Sequence, residues 1–262
     1  MRRACLAVFA LGLFAPLANA ETPQQKGLRI VNAAYEAGKG FGSSEMSGEM
    51  VLRDSGGNRG VRSFHAKALE IGKGANRTLI VFDRPRDIAG TALLTYFETG
   101  GDQQWVYFPS IKRVKRISAT TKTSSFAGSE FTYEDLTGVP IDRFRYNWLR
   151  EEPCPQKTDL TCDVIERYPL DKDSGYRKHI FWMDQKDFRT FRIDFYDRKG
   201  AHIKTLAVTN YKKYKNKYWR ATQSTVTNLR TGKKTVMNWN KYNFDVRLSE
   251  GDFSKRVLER IN

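Results

Sequence analysis

The chain is short of the residues from which most catalytic and metal centres are built, with three cysteines and three histidines in 262 positions. No Cys-x-x-Cys pair occurs, which removes the common zinc and thiol-redox patterns. No Gly-x-Ser-x-Gly elbow, His-Glu-x-x-His helix or glycine-rich phosphate loop occurs either. His65, His179 and His202 therefore have no local motif to serve, and a surface or packing role is the reading for the two that fall on strands, His65 and His179. No apolar run reaches the roughly 20 residues of a membrane-spanning helix. Linkers, low-complexity stretches and internal repeats of 20–50 residues are missing as well. Acidic residues are scarce, 29 against 45 Lys and Arg, for a net charge of +16. Aromatics make up 13% and are spread along the chain, so this charge sits on a folded body and not on a disordered basic tail.

What is present begins with an address. Met1-Arg2-Arg3 places positive charge first, Leu6 to Leu17 is a short apolar stretch, and Ala18-Asn19-Ala20 is a small-x-small site. The pattern predicts a signal peptide over 1–20, cleaved after Ala20, and a mature periplasmic protein over 21–262 that forms one domain and a monomer. Cys5 lies upstream of the cut, so no lipid anchor is expected. Cys154 and Cys162 remain, an even count in an oxidising compartment, and predict a disulfide closing a short loop between two strands. No metal and no cofactor is called for.

Thr22-Pro23 starts a helix, with Thr as N-cap and Pro in the first turn. Leu28, Val31, Ala34 and Tyr35 give it one apolar face, and Gly38 with Gly40 ends it. The period then switches to two. Strands are read around Met46 to Arg53, Phe64 to Leu69, Asn76 to Asp83, Thr91 to Phe97 and Gln103 to Phe108. A second series covers Phe191 to Tyr196, His202 to Tyr211, Tyr218 to Leu229 and Lys234 to Phe244, and Asp252 to Arg260 reads as a short closing helix. Hairpin-linked strands with one apolar face make a large antiparallel sheet, and a sheet of about ten strands must curl. The N-terminal helix and a helical cover over Ser124 to Leu136 are the segments available to pack in its concave face. The fold class is thus mainly β with a few helices, one curved antiparallel sheet forming an unclosed half-barrel. An apolar cavity between sheet and cover is where an apolar guest would sit, and a well-filled interior would count against a carrier.

One stretch is distinctive: Asp102-Gln103-Gln104-Trp105-Val106-Tyr107-Phe108-Pro109-Ser110-Ile111-Lys112-Arg113-Val114-Lys115-Arg116-Ile117, leading into Ser125-Phe126-Ala127-Gly128-Ser129-Glu130-Phe131-Thr132-Tyr133-Glu134-Asp135. It resembles the LolA-like outer-membrane lipoprotein-sorting protein family, in the longer branch found beside large multispanning lipid exporters. The resemblance implies an open, strongly curved barrel whose cavity holds a lipid or lipoprotein acyl chains in transit between an inner-membrane transporter and an outer-membrane acceptor. This chain is longer than the shorter carriers, so a free lipid is as admissible a cargo as a lipoprotein.

The residues read consistently with that. Trp105 and Tyr107 share a strand face and offer apolar area with polar tips, as groove lining or as plain core. Phe126, Phe131 and Tyr133 read as cover residues. Met46, Met50, Phe64, Ile80, Phe82, Phe181, Phe191, Ile193, Phe195, Met237 and Trp239 form the candidate lining, with the methionines able to adapt to variable chains. At strand spacing the same stripe also reads as core. Lys112, Arg113, Lys115 and Arg116 are candidates for lipid headgroups or an anionic membrane surface, against a simple solvated face. The run Tyr211 to Arg220 interleaves Lys and Arg with aromatics, as single-stranded nucleic-acid binders do, but an exported protein meets little nucleic acid. Two readings stay open: a lipid carrier, and a non-catalytic adaptor of a transporter with no cargo of its own.

Overall fold

Thr22 begins the first helix by the device its sequence offers: its hydroxyl accepts the Gln25 N–H at 3.2 Å, and the Gln25 side chain accepts the Thr22 N–H at 2.9 Å. The computed structural model describes residues 20–72, 74–98, 101–138 and 140–261. The predicted leader, apart from Ala20, lies outside them. Helix α1 runs Pro23–Gly38. Its buried face is Gly27, Ile30 and Val31, whereas Leu28 and Tyr35, expected on that face, are exposed. The face is rotated because Gly27 lets the helix backbone approach the sheet. A Cβ there would stand 3.0 Å from the Trp148 nitrogen.

Thirteen strands follow: β1 (Ser43–Arg53), β2 (Arg59–Gly72), β3 (Ala75–Arg84), β4 (Ala92–Phe97), β5 (Gln103–Phe108), β6 (Arg113–Arg116), β7 (Phe144–Cys154), β8 (Lys157–Pro169), β9 (Tyr176–Asp184), β10 (Thr190–Asp197), β11 (His202–Tyr214), β12 (Tyr218–Asn228) and β13 (Lys234–Phe244). They form one antiparallel sheet in the order β6-β5-β4-β3-β2-β1-β13-β12-β11-β10-β9-β8-β7. The pairing of β1 with β13 joins the two halves at the middle. There β13 bulges at Asn240, the extra residue opposite Ser47 and Gly48, and a Cβ on Gly48 would lie 2.3 Å from the Asn238 carbonyl oxygen. The outer strands β6 and β7 do not pair with each other, so the expected unclosed barrel is what forms.

Register assigns every residue to a face, because directly opposed residues point the same way. The concave face carries Val106, Leu93 and Ile80, then Phe64 and Met50, then Met237, Val226, Leu206, Ile193, Phe181 and Ile165. Helix α1 packs on this face at the β7 end, with Ile30 and Val31 against Tyr146, Ile165, Phe181 and Met183.

The segment 118–140 crosses the rest of the concavity. Its part from Ser124 to Leu136 was expected to be helical and is not: among the described residues it holds an antiparallel bridge, Ser125 to Thr132, and one 3-10 turn, Glu134–Leu136. Its Ser, Thr and Asp side chains satisfy its backbone locally, as where Asp135 accepts the Thr132 N–H at 2.7 Å, and Ala127 and Gly128 take positive φ. It still acts as a cover. Phe126 and Tyr133 pack in the cluster of Met50, Phe64, Phe82 and Met237. The closing helix α2 (Lys255–Leu258) and the 3-10 turn before it pack on the other, convex face.

Candidate ligand cavity

The half of the concavity over β1 to β5 is filled by the protein itself. Met50, Phe64, Phe82 and Phe126 are each 2% exposed or less, with Phe64 edge-on to Trp239 at 5.1 Å and Phe82 at 6.3 Å. Ile80 and Trp239 pack against this cluster, and Met46 lies half-buried at the end of the same row. Phe181 is covered by α1.

The other half is not filled. A cavity of about 710 Å³ lies between the cover and strands β8 to β12, within the roughly 300–1,000 Å³ typical of pockets for small apolar ligands. Phe131, Ile193, Phe195, Leu206, Val226 and Ile117 give it an apolar wall, and it reaches the surface beside exposed Ser118 and Ala119. Of the candidate lining residues, Phe131, Ile193 and Phe195 border it.

Three candidates sit on the wrong side of the sheet. Trp105 and Tyr107 point to the convex face, where Leu79, Leu94, Phe253 and Leu258 bury them and Lys255 stacks on Trp105 at 4.5 Å. Alternation put them together correctly, but both faces of β5 are apolar and buried, so it could not say which is concave. Phe191 is the extra residue where β10 slips against β9, and it joins Val164, Trp182 and the disulfide Cys154–Cys162 in a separate cluster. That disulfide links β7 to β8 as the spacing predicted, with 4.9 Å between the Cα atoms. Lys112, Arg113, Lys115 and Arg116 are exposed on and beside edge strand β6, and Arg116 also borders the cavity.

The polar part of the cavity was not foreseen. Tyr146, Arg167 and His179 are direct neighbours on β7, β8 and β9, and the row continues through Phe195 to Lys204. The Arg167 Nε donates to His179 Nδ1 at 3.1 Å, which fixes the imidazole proton on Nε2, since a guanidinium can only donate. That Nε2 is buried without a partner among the described residues, as is the Tyr146 hydroxyl. Burial, then the charges of Arg167 and Lys204, hold the His179 pKa well below the usual histidine value. Burial also lowers the Arg167 pKa and pushes Tyr146 up to about 12.

The acids of the cavity wall have partners of their own. Asp135 forms an ion pair with buried Lys204 and accepts from the Tyr176 hydroxyl at 2.8 Å. Glu134 accepts from the Ser174 hydroxyl and from the Gly175 N–H at 2.9 Å. Lys122 bonds Asp171. Asp102, half-buried in the cavity wall, is raised to about 6 by desolvation. Among the described residues no group of three or more His, Cys, Asp or Glu is placed to hold a metal, and no helix is long and apolar enough to cross a membrane.

A family model described only as an uncharacterized protein matches residues 74–260. Among solved structures, a domain from Vibrio parahaemolyticus described as an outer membrane lipoprotein-sorting protein is 42% identical. It superposes with a TM-score of 0.87 over 90% of this chain and 100% of its own. A DUF1329 family protein from Desulfovibrio piger is 29% identical, with a TM-score of 0.84 over 90% of this chain and 99% of that one. A LolA superfamily protein from Nitrosomonas europaea shares the fold at 20% identity and a TM-score of 0.69, over 88% of this chain and 98% of its own. No curated protein matches the chain.

Proposed function

Since the chain belongs to the LolA-like outer-membrane lipoprotein-sorting protein family, we propose that it is a periplasmic carrier holding a lipid, or the acyl chains of a lipoprotein, in its concavity. The observation that carries this reading is the unfilled 710 Å³ between the sheet and its cover, walled by Phe131, Ile193, Phe195, Leu206 and Val226. A folded interior is normally packed with few voids larger than a water molecule. A space of this size beside a tightly packed aromatic half calls for a guest whose apolar surface completes it. The sorting description of the Vibrio relative supports the same role.

In this reading the leader directs export, and the protein passes its cargo from an inner-membrane transporter to an outer-membrane acceptor. The exposed basic residues of β6 and its approach touch the anionic surface in passing. In this reading the protein acts by binding and releasing its cargo. A pure adaptor would have no use for the cavity, which favours the carrier. Native mass spectrometry of protein purified from the periplasm separates the two. A persistent adduct of lipid mass is expected, lost on delipidation and regained on adding the extracted lipid. A clean apo mass that no added lipid changes would leave the adaptor.

A further inference from the structure

The unfilled space is not uniformly apolar: its acids Asp102, Glu134, Asp135 and Asp171 have partners of their own, whereas the terminal nitrogens of Arg167 and the Nε2–H of His179 meet no acceptor among the described residues. Arg167 extends from β8 into the concavity and packs on the rings of Phe144 at 4.9 Å and Phe181 at 5.5 Å. Among the described residues it has no carboxylate in an ion pair, and its one hydrogen bond is the Nε donation to His179. His179 is 4% exposed, and its Nε2–H is a second donor that meets no acceptor among the described residues. Both residues border the cavity. The nearby acids cannot turn to them, because Asp135 is held by Lys204, Tyr176 and Thr132, and Glu134 by Ser174 and Gly175.

A buried donor left without an acceptor is costly, the more so beside a half-buried charge such as Arg167, so a purely structural row would be expected to carry its own carboxylate. We propose that the cavity selects an anionic amphiphile, whose carboxylate or phosphate oxygens are bound by the Arg167 guanidinium and the His179 Nε2–H while its acyl chain lies against Phe131, Ile193, Phe195, Leu206 and Val226. The fork of an arginine suits either group, since both present two oxygens at matching spacing. Tyr146, next in the row, lies under α1 and does not border the cavity. Anion selection deepens the carrier reading and rests on it.

The test compares three ligands of one chain length: lauric acid, lauryl phosphate and lauryl alcohol, each titrated into the delipidated protein by displacement of an apolar fluorophore. The acid and the phosphate are expected to bind about tenfold or more tighter than the alcohol, as a charge-assisted contact implies. Their ratio tells which anionic group is preferred. Arg167→Gln is expected to bring the three affinities within about twofold of one another. If that variant does not fold, Arg167→Lys, which keeps the charge, must still favour the anions. Equal binding of all three ligands by the unaltered protein would overturn anion selection and leave the carrier standing. Binding of none would defeat the carrier reading, and this one with it. A preference that survives Arg167→Gln would overturn the assignment to Arg167.

Discussion

Asp102 shows how one side chain ties the cavity to stability. Desolvation raises its carboxyl from the ordinary value near 3.8 to about 6. The folded state therefore holds a proton that the unfolded state has already lost between those values, and stability falls as pH rises through that window. Asp102→Asn keeps the acceptor oxygen and removes the ionisation. It is expected to be more stable than the parent at pH about 7.5 by on the order of 1 kcal/mol, a figure reduced for partial exposure, and equal to it near pH about 4. Urea unfolding at the two pH values checks this, and a gain at pH 4 as large as at 7.5 would sink it. Asp102 was legible in the sequence only as part of a family pattern. Arg167, His179 and Tyr146 were not legible as a group, because they are 12 to 33 positions apart and meet only through the register of three strands. Their polarity also hides them: a search for an apolar lining passes over an arginine.

At the scale of elements, the cover is held by a latch more than by grease alone. Lys204 reaches from β11 to Asp135, both about 5% exposed, while Thr235 and Asn228 grip Glu130 at 3.0 Å and 2.7 Å. Removing one partner of a buried pair strands the other charge. Lys204→Met is expected to cost about 3 kcal/mol, and adding Asp135→Asn should recover most of that loss. Denaturant midpoints of the single and double variants decide it; a double variant no better than the single would show that the pair is not what fixes the cover. The element pattern was largely readable. Strands β1 to β5 and β10 to β13 announce themselves by alternation and turn residues. Strand β8 does not, because Asp163, Ile165 and Arg167 share one face while Cys162, Val164 and Glu166 share the other, so neither face reads as apolar. The cover over Ser124 to Leu136 was expected as a helix, yet side-chain hydrogen bonds to its own backbone favour a looped path.

For the whole molecule, the net charge of +16, of which only Arg2 and Arg3 belong to the predicted leader, sits on a body whose cavity already uses its acids internally. Lys112, Arg113, Lys115 and Arg116 stand exposed at one margin of the sheet. Binding to vesicles containing phosphatidylglycerol is expected, weakening several-fold as salt rises above about 0.15 M, with little binding to neutral vesicles. Co-sedimentation measures it, and equal affinity for both vesicle types would count against a membrane-facing margin. Curvature and openness followed from the number of strands, but which half would be filled did not, since that depends on where a long loop lays its three aromatic rings. The unpaired margins have one more consequence. β6 and β7 are tied by a strap of covalent chain and side-chain clasps, not by a ladder. A hoop fastened in this way can widen its girth for a bulkier passenger by letting out the strap, with every rung between its staves intact.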